Sequence, residues 1–415
     1  MTATFWRVAV TFSSYVVSGC HVSILDRREF FGYARRYVSE LFETVYSIPS
    51  MLLIVKVGTS TLTAGTAHIS PPLLVELARQ VTQLQRDGHH VILVSSGAIA
   101  AGREKLGFPK LPRELSSKQM LAAIGQPRLM AIYEQVFGLY GCTVAQVLLT
   151  RADLADRRRY LNARGTLHAL LAHKTVPIIN ENDTVATEEI RVGDNDNLSA
   201  LVANVVQADL LILLTDQRGL FTGDPRTDPS ARLVEQVDEA DIPASLWESA
   251  GDRGTGLGTG GMVTKLQAAD LARRSGTTVV IAHGTEPHVL IRLVQGERLG
   301  TRFTPIASAL ESRKRYILSG RLAPGQITIN DGATTALRGG GSLLAVGVTQ
   351  IGGDFHRGDT VRVMDETGRE LARGITSYSS TDLIRLRGRR SEEIESLLGY
   401  DYGDEVIHRN DLVLL

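Results

Sequence analysis

The chain has 415 residues, which exceeds what a single ordinary hydrophobic core organises and indicates about two domains. Hydrophobic residues account for 43% of the chain and charged residues for 22%, as in a soluble globular protein. Lys plus Arg and Asp plus Glu are equal at 45 each, and this balance argues against nucleic-acid binding, which usually requires a basic excess.

The first fifty residues differ from the rest of the chain. Residues 17–20 (VSGC) resemble the lipid-attachment box of bacterial lipoproteins, but the segment before them is a poor signal peptide with one early cation, Arg7. We predict that residues 1–50 are an extension outside the fold, and that Met51, directly before the first strong strand pattern, is the natural first residue. Since no apolar run approaches about 18 residues, the sequence predicts no membrane-spanning helix.

The two cysteines, Cys20 and Cys142, match neither a metal-binding spacing nor a disulfide framework. Thiols without such a framework are typical of a reducing compartment. We therefore expect the protein to be cytoplasmic.

Apolar strand patterns alternate with amphipathic helix patterns from Met51 onward. Short apolar runs predict strands at residues 52–57, 90–94, 175–179, 210–214 and 278–282. Apolar residues at helical spacing predict helices at residues 71–86, 158–173 and 262–274. This alternation predicts an α/β fold, a mostly parallel sheet sandwiched by helices, over residues 51–305. Ligands of such sheets bind beyond the carboxyl ends of the strands, where the polar motifs of this chain also fall.

The pattern changes near residue 305. Short strands separated by turns follow Lys314, with strand patterns at residues 326–329, 360–364 and 371–374. They predict a small, mainly β domain over residues 313–412. From residue 313 onward there are 13 Arg and one Lys against 14 Asp and Glu, so this domain is neutral as well.

Two strand ends are candidate anion-binding segments. Residues 56–60 (KVGTS) place Lys56 on a strand before a small-residue turn, where backbone N–H groups can approach phosphate oxygens. The Gly-Lys-Ser/Thr ending of a Walker A loop is absent, and a lysine exposed at a strand end explains the segment equally well. Residues 94–100 (VSSGAIA) lead from a strand into a helix, and either an anion site or simple helix capping by Ser95 and Ser96 accounts for them.

Three later segments fall at strand or helix ends. Residues 180–183 (NEND) and 192–198 (VGDNDNL) form a predicted polar loop, which suits a ligand with an ammonium and a carboxylate group or is an ordinary surface turn. Residues 214–216 (LTD) end a strand, and the turn after them either holds a nucleoside or is only a turn. Residues 256–265 (GLGTGGMVTK) combine a glycine-rich backbone, a helix N-terminus and a lysine into a triphosphate clamp, with a linker as the alternative.

Together these segments resemble the amino acid kinase family, and among its members those that phosphorylate the side-chain carboxylate of glutamate. The resemblance extends over residues 51–412, and the number and order of the motifs make it specific. The matching motifs are residues 56–60, 96–102 (SGAIAAG), 117–125 (SKQMLAAIG), 149–153 (LTRAD), 180–183, 193–199 (GDNDNLS) and 258–265 (GTGGMVTK). The C-terminal part is similar to the PUA domain, which is named after RNA-modifying enzymes.

The resemblance implies a function for each candidate site residue. Lys56, Lys265 and Asp196 would be catalytic, with the lysines binding the phosphates and Asp196 orienting the lysines, while Asp194 would support the loop. Glutamate would be bound by Ser96, Asp183 and Asn195. The nucleotide would be bound by Lys56, Thr215, Asp216, Thr259, Gly260, Gly261, Met262, Val263, Thr264 and Lys265.

The resemblance also implies cofactors and partners. We expect ATP and Mg²⁺ without a dedicated protein metal site, glutamate as the substrate, and a place at the entry to proline synthesis. Proline is an expected feedback inhibitor, a homo-oligomer is the expected assembly, and functional coupling to the next enzyme of the pathway would protect a reactive acyl phosphate. Neither a membrane nor a nucleic acid is an expected partner.

Two alternatives stay open from the sequence. Another carboxylate or carbamate kinase of the family would share most motifs, although residues 180–199 favour glutamate. The PUA-like segment is also compatible with RNA binding, although its neutral charge argues against strong binding to phosphates.

Overall fold

A computed structural model describes residues 16–18, 21–23, 49–112, 114–186, 194–251, 261–306, 311, 317–318 and 322–415. Its internal contacts divide the chain into two units, Met1–Ser50 and Met51–Leu415. In the first unit, Val16–Ser18 and His21–Ser23 form an antiparallel pair of strands. Within the part of the chain that the structure describes, no helix combines the length and apolar character needed to cross a membrane.

The larger sheet of the second unit has eight strands. They are β1 (Leu52–Val57), β2 (His90–Ser95), β3 (Val144–Leu149), β4 (Val176–Glu181), β5 (Leu210–Thr215), β6 (Gln236–Val237), β7 (Thr278–His283) and β8 (Thr301–Phe303). Their order across the sheet is β3-β4-β2-β1-β5-β7-β8-β6. The first six of these are parallel neighbours, and β8 pairs antiparallel with β7 and parallel with β6. The predicted mostly parallel sheet is confirmed.

Helices cover both faces of this sheet. They are α1 (Thr59–Leu62), α2 (Pro71–Arg86), α3 (Ala98–Lys105), α4 (Leu115–Gly138), α5 (Arg151–Ala155), α6 (Arg157–Ala172), α7 (Asp194–Val206), α8 (Ala244–Ala250), α9 (Met262–Arg274) and α10 (Val289–Val294). Buried side chains of α6, α7, α8 and α9 form one apolar cluster, and those of α2, α4 and α10 form another. Along β1, Ile54 belongs to the first cluster and its neighbours Leu53 and Val55 to the second, as the alternation of a strand buried on both faces requires.

The C-terminal region, residues 322–415, has its own sheets and its own core. Its strands are β9 (Leu322–Ile329), β10 (Leu343–Leu344), β11 (Val348–Gly352), β12 (Thr360–Met364), β13 (Glu370–Ile375), β14 (Glu405–Ile407) and β15 (Leu412–Leu414). Five of them form a sheet in the order β11-β9-β12-β13-β15, and β10 pairs with β14. The helices are α11 (Asp331–Arg338), α12 (Ser380–Leu386) and α13 (Ile394–Leu398), with single 3₁₀ turns at Ala345–Gly347, Ser391–Glu393 and Arg409–Asp411. A mainly β region was the expectation, and it is confirmed.

One element differs from the sequence prediction in a way that matters for the site. Residues 192–198 were predicted as a polar loop, but helix α7 begins at Asp194, so that prediction is wrong from this residue onward. The first turn of α7 is polar (DNDN), and the apolar residues that reveal a helix begin only at Leu198. As a result, Asn195 and Asp196 lie on the first turn of a helix and not in a loop.

Candidate active site

The candidate residues gather at one edge of the large sheet. Strands β2, β1 and β5 are adjacent and parallel, so their carboxyl ends meet at this edge. The register pairs Val57 with both Ser95 and Leu214, which places Lys56, Ser96 and Thr215 on three neighbouring strand ends. The first turns of α7 and α9, which pack against each other in one apolar cluster, add Asp196 and Lys265.

A buried lysine–aspartate cluster forms the first part of the site. The carboxylate of Asp196 lies between two ammonium groups, with Oδ1 at 2.5 Å from Lys56 Nζ and Oδ2 at 3.3 Å from Lys265 Nζ. The hydroxyl of Thr264 donates a hydrogen bond of 2.7 Å to the same Oδ2. Asp196 is 0% exposed, and the two lysines are 4% and 5% exposed. Residues from β1, α7 and α9 are thus joined by one buried carboxylate.

The electrostatics of this cluster favour an added anion. Burial by itself raises the pKa of Asp196, but the charges of Lys56 and Lys265 and the hydrogen bonds from Lys56 and Thr264 outweigh burial and lower this pKa to about 2. Burial lowers the pKa of Lys56, an effect that the Asp196 carboxylate opposes and the Lys265 charge reinforces. Two buried cations and one carboxylate leave a local excess of positive charge, which a phosphate group would neutralise.

The turn from β2 into α3 forms the second part of the site. Gly97 is the N-cap of α3 and has a φ of 105°, and no side chain makes a capping hydrogen bond there. Helix capping by Ser95 or Ser96 is therefore the wrong explanation for the two serines. The positive φ favours glycine at this position, and a Cβ on Gly97 would lie 2.9 Å from Leu62 Cδ1, so Leu62 would have to shift to admit it. The Ser96 N–H donates to Val57 O at 3.0 Å, which holds the turn against β1.

A chain of hydrogen-bonded side-chain amides connects this turn with β3, the strand at the edge of the sheet. Asn195 Nδ2 donates to Ser96 Oγ at 3.0 Å and to Asn180 Oδ1 at 2.9 Å. Asn180 Nδ2 donates to Gln126 Oε1 at 2.8 Å, and Gln126 Nε2 donates to Gln146 Oε1 at 3.0 Å. These four residues come from α7, β4, α4 and β3, so the chain links four elements.

The backbone N–H of Glu181 determines the direction of the hydrogen bonds in this chain. The Glu181 N–H donates to Asn180 Oδ1 at 2.9 Å, and because a peptide N–H can only donate, this oxygen must be the acceptor. Asn195 therefore uses its amide nitrogen for Asn180 and Ser96. Its Oδ1 is buried without a hydrogen-bond partner among the described residues, and so is placed to accept from a ligand. Ser96 Oγ, which accepts from Asn195, keeps its own proton for a ligand acceptor.

Asp183 lies two residues beyond the end of β4 and is half-buried. The backbone that follows it is held by Gln119 of α4, whose amide donates to the carbonyl oxygens of Thr184 at 3.3 Å and Ala186 at 3.2 Å. This tether places Asp183 at the same strand end as Asn180. The segment from residue 187 to residue 193 lies outside the described residues.

The predicted nucleotide residues fall at two places. Thr215 is buried at the end of β5 and donates to Asp216 Oδ1 at 3.1 Å, while Asp216 itself is exposed. Helix α9 starts after Gly261, again without a side-chain cap, so its first-turn N–H groups are available to a phosphate. Met262 and Val263 pack against the apolar core, which gives them a structural function whatever their contact with a ligand. Thr259, Gly260 and the side chain of Asp194 lie outside the described residues.

Comparison with known proteins agrees with this geometry. A model of the amino acid kinase family matches residues 51–283, which is more than half of the chain. The chain belongs to the amino acid kinase family. A model of the PUA domain matches residues 325–398, so this member of the family has a PUA domain in its C-terminal region.

Two curated relatives with more than half of their residues identical to this chain are named glutamate 5-kinase. A glutamate 5-kinase of Vibrio campbellii is 57% identical over 364 residues, which are 88% of this chain and 96% of the relative. A glutamate 5-kinase of Shewanella sediminis is 54% identical over 364 residues, or 88% of this chain and 97% of the relative. Among solved structures, a UMP kinase from Bacillus anthracis is similar over 62% of this chain and 98% of its own, with 16% identity and a TM-score of 0.44.

The sequence pointed to the residues of the lysine–aspartate cluster but not to all residues of the amide chain. It named Lys56, Asp196 and Lys265, which the structure brings into direct contact. It did not single out Gln126, because a glutamine inside a helix pattern has no signature of its own. The one available signal was that Gln126 directly follows a family motif, residues 117–125, on the same helix.

Proposed function

We propose that this member of the amino acid kinase family is a glutamate 5-kinase. It transfers the γ-phosphoryl group of ATP to the side-chain carboxylate of L-glutamate and forms L-glutamyl 5-phosphate, the first step of proline biosynthesis. The observation that supports it most directly is the buried Lys56–Asp196–Lys265 cluster at the same sheet edge as the Ser96–Asn195 pair. The sequence identity to enzymes named glutamate 5-kinase, over most of both chains, supports the substrate.

The reaction needs charge stabilisation more than proton transfer. The glutamate side chain has a reference pKa of about 4.3 and is already ionised at neutral pH, so no general base is required. One of its oxygens forms a bond to the γ-phosphorus, the bond between that phosphorus and the β,γ-bridging oxygen breaks, and ADP leaves with the electron pair. Because both reactants are anions, the barrier falls through positioning and through cations that balance the charge on the phosphoryl oxygens.

The lysine–aspartate cluster suits this task. We assign Lys56 and Lys265 to the transferring phosphoryl group and Asp196 to their orientation, since its carboxylate fixes both ammonium groups within 3.3 Å. Asp196 with its lowered pKa stays ionised throughout the physiological range, so it holds the two like charges together without a change of state.

The chain of side-chain amides and the Ser96 turn together form the amide end of the site, which suits the binding of an amino acid. We assign the Asn195 Oδ1 to the substrate ammonium group, because it is a buried acceptor with no partner among the described residues. The Ser96 hydroxyl, whose oxygen already accepts from Asn195, would donate to a substrate carboxylate. Asp183 at the neighbouring strand end would add a negative charge near the ammonium group.

The nucleotide would lie along β5 and α9. Thr215 and Asp216 would contact the nucleoside part, and the uncapped first turn of α9, at Gly261, Met262, Val263, Thr264 and Lys265, would receive the phosphates together with Thr259 and Gly260. Mg²⁺ usually keeps several waters and is held through substrate phosphates, so it would enter with ATP, and we assign no protein ligand to it. When bound, it would neutralise part of the phosphate charge.

Further features of the proposal concern the chain as a whole. We propose that residues 51–305 form the catalytic domain and residues 313–412 a PUA domain with a regulatory or assembly function, and that residues 1–50 are not needed for activity. Proline shares an α-carboxylate and an ammonium centre with glutamate, so it could compete for the Asp183 and Asn195 end. A cytoplasmic homo-oligomer that passes its product to the next enzyme completes the proposal.

The test is ADP release from ATP and Mg²⁺ with a panel of amino acids, with hydroxylamine present to trap an acyl phosphate as the hydroxamate. We expect turnover with glutamate, and much less with aspartate or N-acetylglutamate. Equal turnover of N-acetylglutamate would contradict the assignment, because Asn195 and Asp183 are proposed to hold a free ammonium group. ADP release without a hydroxamate would exclude a carboxylate as the acceptor.

A further inference from the structure

A tyrosine hydroxyl is buried beneath the Ser96 turn. Tyr133, on α4, is 0% exposed, and its ring belongs to the apolar cluster of α2, α4 and α10. Its hydroxyl lies 2.7 Å from the Oγ of Ser95, the last residue of β2, which is also 0% exposed. Burying a tyrosine hydroxyl in an apolar cluster costs free energy unless the hydroxyl makes a hydrogen bond, so phenylalanine would be favoured here without such a partner.

The direction of this hydrogen bond follows from its second member. Ser95 Oγ also lies 2.9 Å from the carbonyl oxygen of Ser96, and a carbonyl oxygen can only accept. The single proton of Ser95 is therefore donated to Ser96 O, and Tyr133 must donate to Ser95. The result is an ordered chain from the Tyr133 hydroxyl through the Ser95 hydroxyl to the Ser96 carbonyl.

This chain fixes the peptide group between Ser96 and Gly97. In a trans peptide the C=O and N–H point in opposite directions, and no cis peptide occurs among the described residues. With its C=O held by Ser95, this peptide directs the Gly97 N–H away from the core, where the structure shows no acceptor for it among the described residues. The Ser96 N–H is held by Val57 O at 3.0 Å, so the peptide groups on both sides of Ser96 are fixed. Both peptides in turn determine where the Ser96 hydroxyl points.

We propose that Tyr133 is a positioning residue for the carboxylate substrate, which acts through Ser95 to orient the Ser96 hydroxyl and the Gly97 N–H. This inference rests on the proposed function of Ser96 in binding glutamate. Tyr133 itself touches neither substrate nor nucleotide. It belongs to the amide end of the site, and among the described residues its hydroxyl makes no hydrogen bond to the lysine–aspartate cluster.

The test is the steady-state kinetics of Tyr133→Phe, which removes one oxygen and keeps the ring. We expect the KM for glutamate to rise about fivefold, the size of one net hydrogen bond, while kcat and the KM for ATP stay within about twofold. Ser95→Ala should raise the glutamate KM in the same direction. The double variant Tyr133→Phe/Ser95→Ala should be no worse than Ser95→Ala alone, because both changes break one chain.

Tyr378→Phe is the matched control, because it removes a buried tyrosine hydroxyl from a different part of the chain. Tyr378 in the C-terminal region is equally buried, and its hydroxyl lies within hydrogen-bond distance of two acceptors, Asp401 Oδ1 at 2.9 Å and Gly403 O at 2.6 Å. Tyr378→Phe should lower the melting temperature but leave the glutamate KM unchanged. An unchanged glutamate KM in Tyr133→Phe, a rise that Tyr378→Phe shares, or additive effects of the two single changes would overturn the positioning function. Wild-type protein without glutamate-dependent ADP release would instead overturn the proposed function itself.

Discussion

The lysine–aspartate cluster and the amide chain lie at the same edge of the sheet, yet they are stabilised by different forces. The cluster holds three formal charges with almost no exposure, in direct ion pairs of 2.5 and 3.3 Å. The amide chain is neutral and depends on the directions of its hydrogen bonds, which the Glu181 N–H fixes. Charge at one end suits a phosphoryl group, whereas fixed donors and acceptors at the other suit the recognition of an amino acid.

This difference predicts which kinetic constant responds to a change at each end. Loss of a charge that stabilises the transition state lowers kcat, whereas loss of ground-state recognition raises KM. The two ends should therefore separate in kinetics even though they are neighbours in space.

The largest effect is expected at the lysines. Lys56→Met and Lys265→Met should each lower kcat by about 10²–10³, the usual consequence of losing one preorganised charge donor. Steady-state ADP release is the measurement, and Lys105→Met, at an exposed position on α3, is the control that should behave like wild type. Near wild-type turnover in either cluster variant would exclude that lysine from the mechanism.

The charge of Asp196 should appear as a pH dependence of stability. Because its folded-state pKa is lowered to about 2, its ionised form adds stability that is fully present above its unfolded pKa near 4 and lost as pH falls towards 2. Asp196→Asn should cost about 3–5 kcal/mol at pH 5, since two buried ammonium groups lose their partner. This difference from wild type should shrink by up to about 2 kcal/mol at pH 2.5.

Urea unfolding at both pH values measures this difference. The matched control is Asp404→Asn at an exposed carboxylate of the C-terminal region, which should leave the pH dependence close to that of wild type. A constant difference between wild type and Asp196→Asn from pH 5 to pH 2.5 would show that the pKa of Asp196 is not lowered in the folded protein.

The binding of glutamate at the amide end should depend on the packing of α3 against α4. A Cβ on Gly125 of α4 would lie 1.8 Å from Ala98 O and 2.4 Å from Gly102 N, so Gly125→Ala must push the start of α3 away from α4. Overpacking of this kind costs about 1–3 kcal/mol, and the displaced turn at Ser96 should raise the glutamate KM more than it lowers kcat.

Gly138→Ala is the control on the same helix, because a Cβ there meets no atom within 4 Å. The free energy of unfolding and the glutamate KM should therefore differ clearly between Gly125→Ala and Gly138→Ala. If Gly125→Ala lowered kcat and left the glutamate KM unchanged, the two ends of the site would not be separable in the way proposed.

The smallest effect on turnover is expected from the C-terminal region. It contacts α6 through Arg164 Nη1, 2.8 Å from Asp411 Oδ2, and through Arg157 Nε, which donates to Gly358 O at 2.7 Å. None of the proposed reacting groups lies in this region. A chain ending at about residue 310 should keep glutamate-dependent ADP release within about tenfold, or about 1.4 kcal/mol of activation free energy.

Truncation should instead lower the melting temperature and alter oligomerisation or the response to proline. Kinetics, light scattering and circular dichroism on the truncated protein are the measurements. Asp411→Asn in the full chain removes the ion pair with Arg164 and keeps the rest of the C-terminal region, so it distinguishes the loss of this contact from the loss of the region. A folded but inactive truncated protein would show that the C-terminal region completes the active site.

The sequence by itself predicted the fold class and five of the eight strands of the large sheet, β1, β2, β4, β5 and β7. Buried parallel strands such as β1 and β5 are short apolar runs, which the sequence alone reveals. Helix α9 was predicted with the bounds that it has, Met262–Arg274, because its periodicity starts directly after a run of glycines.

Only the tertiary structure decided which polar side chains meet. The start of α7 was hidden because its first turn, Asp194–Asn197, is polar, and so the position of Asp196 between two lysines could not be read from the pattern. The pairs Asn180–Gln126 and Tyr133–Ser95 join residues that are 54 and 38 positions apart. Periodicity reports which face of an element is buried, whereas the direction of a hydrogen bond depends on atoms that distant parts of the chain bring together.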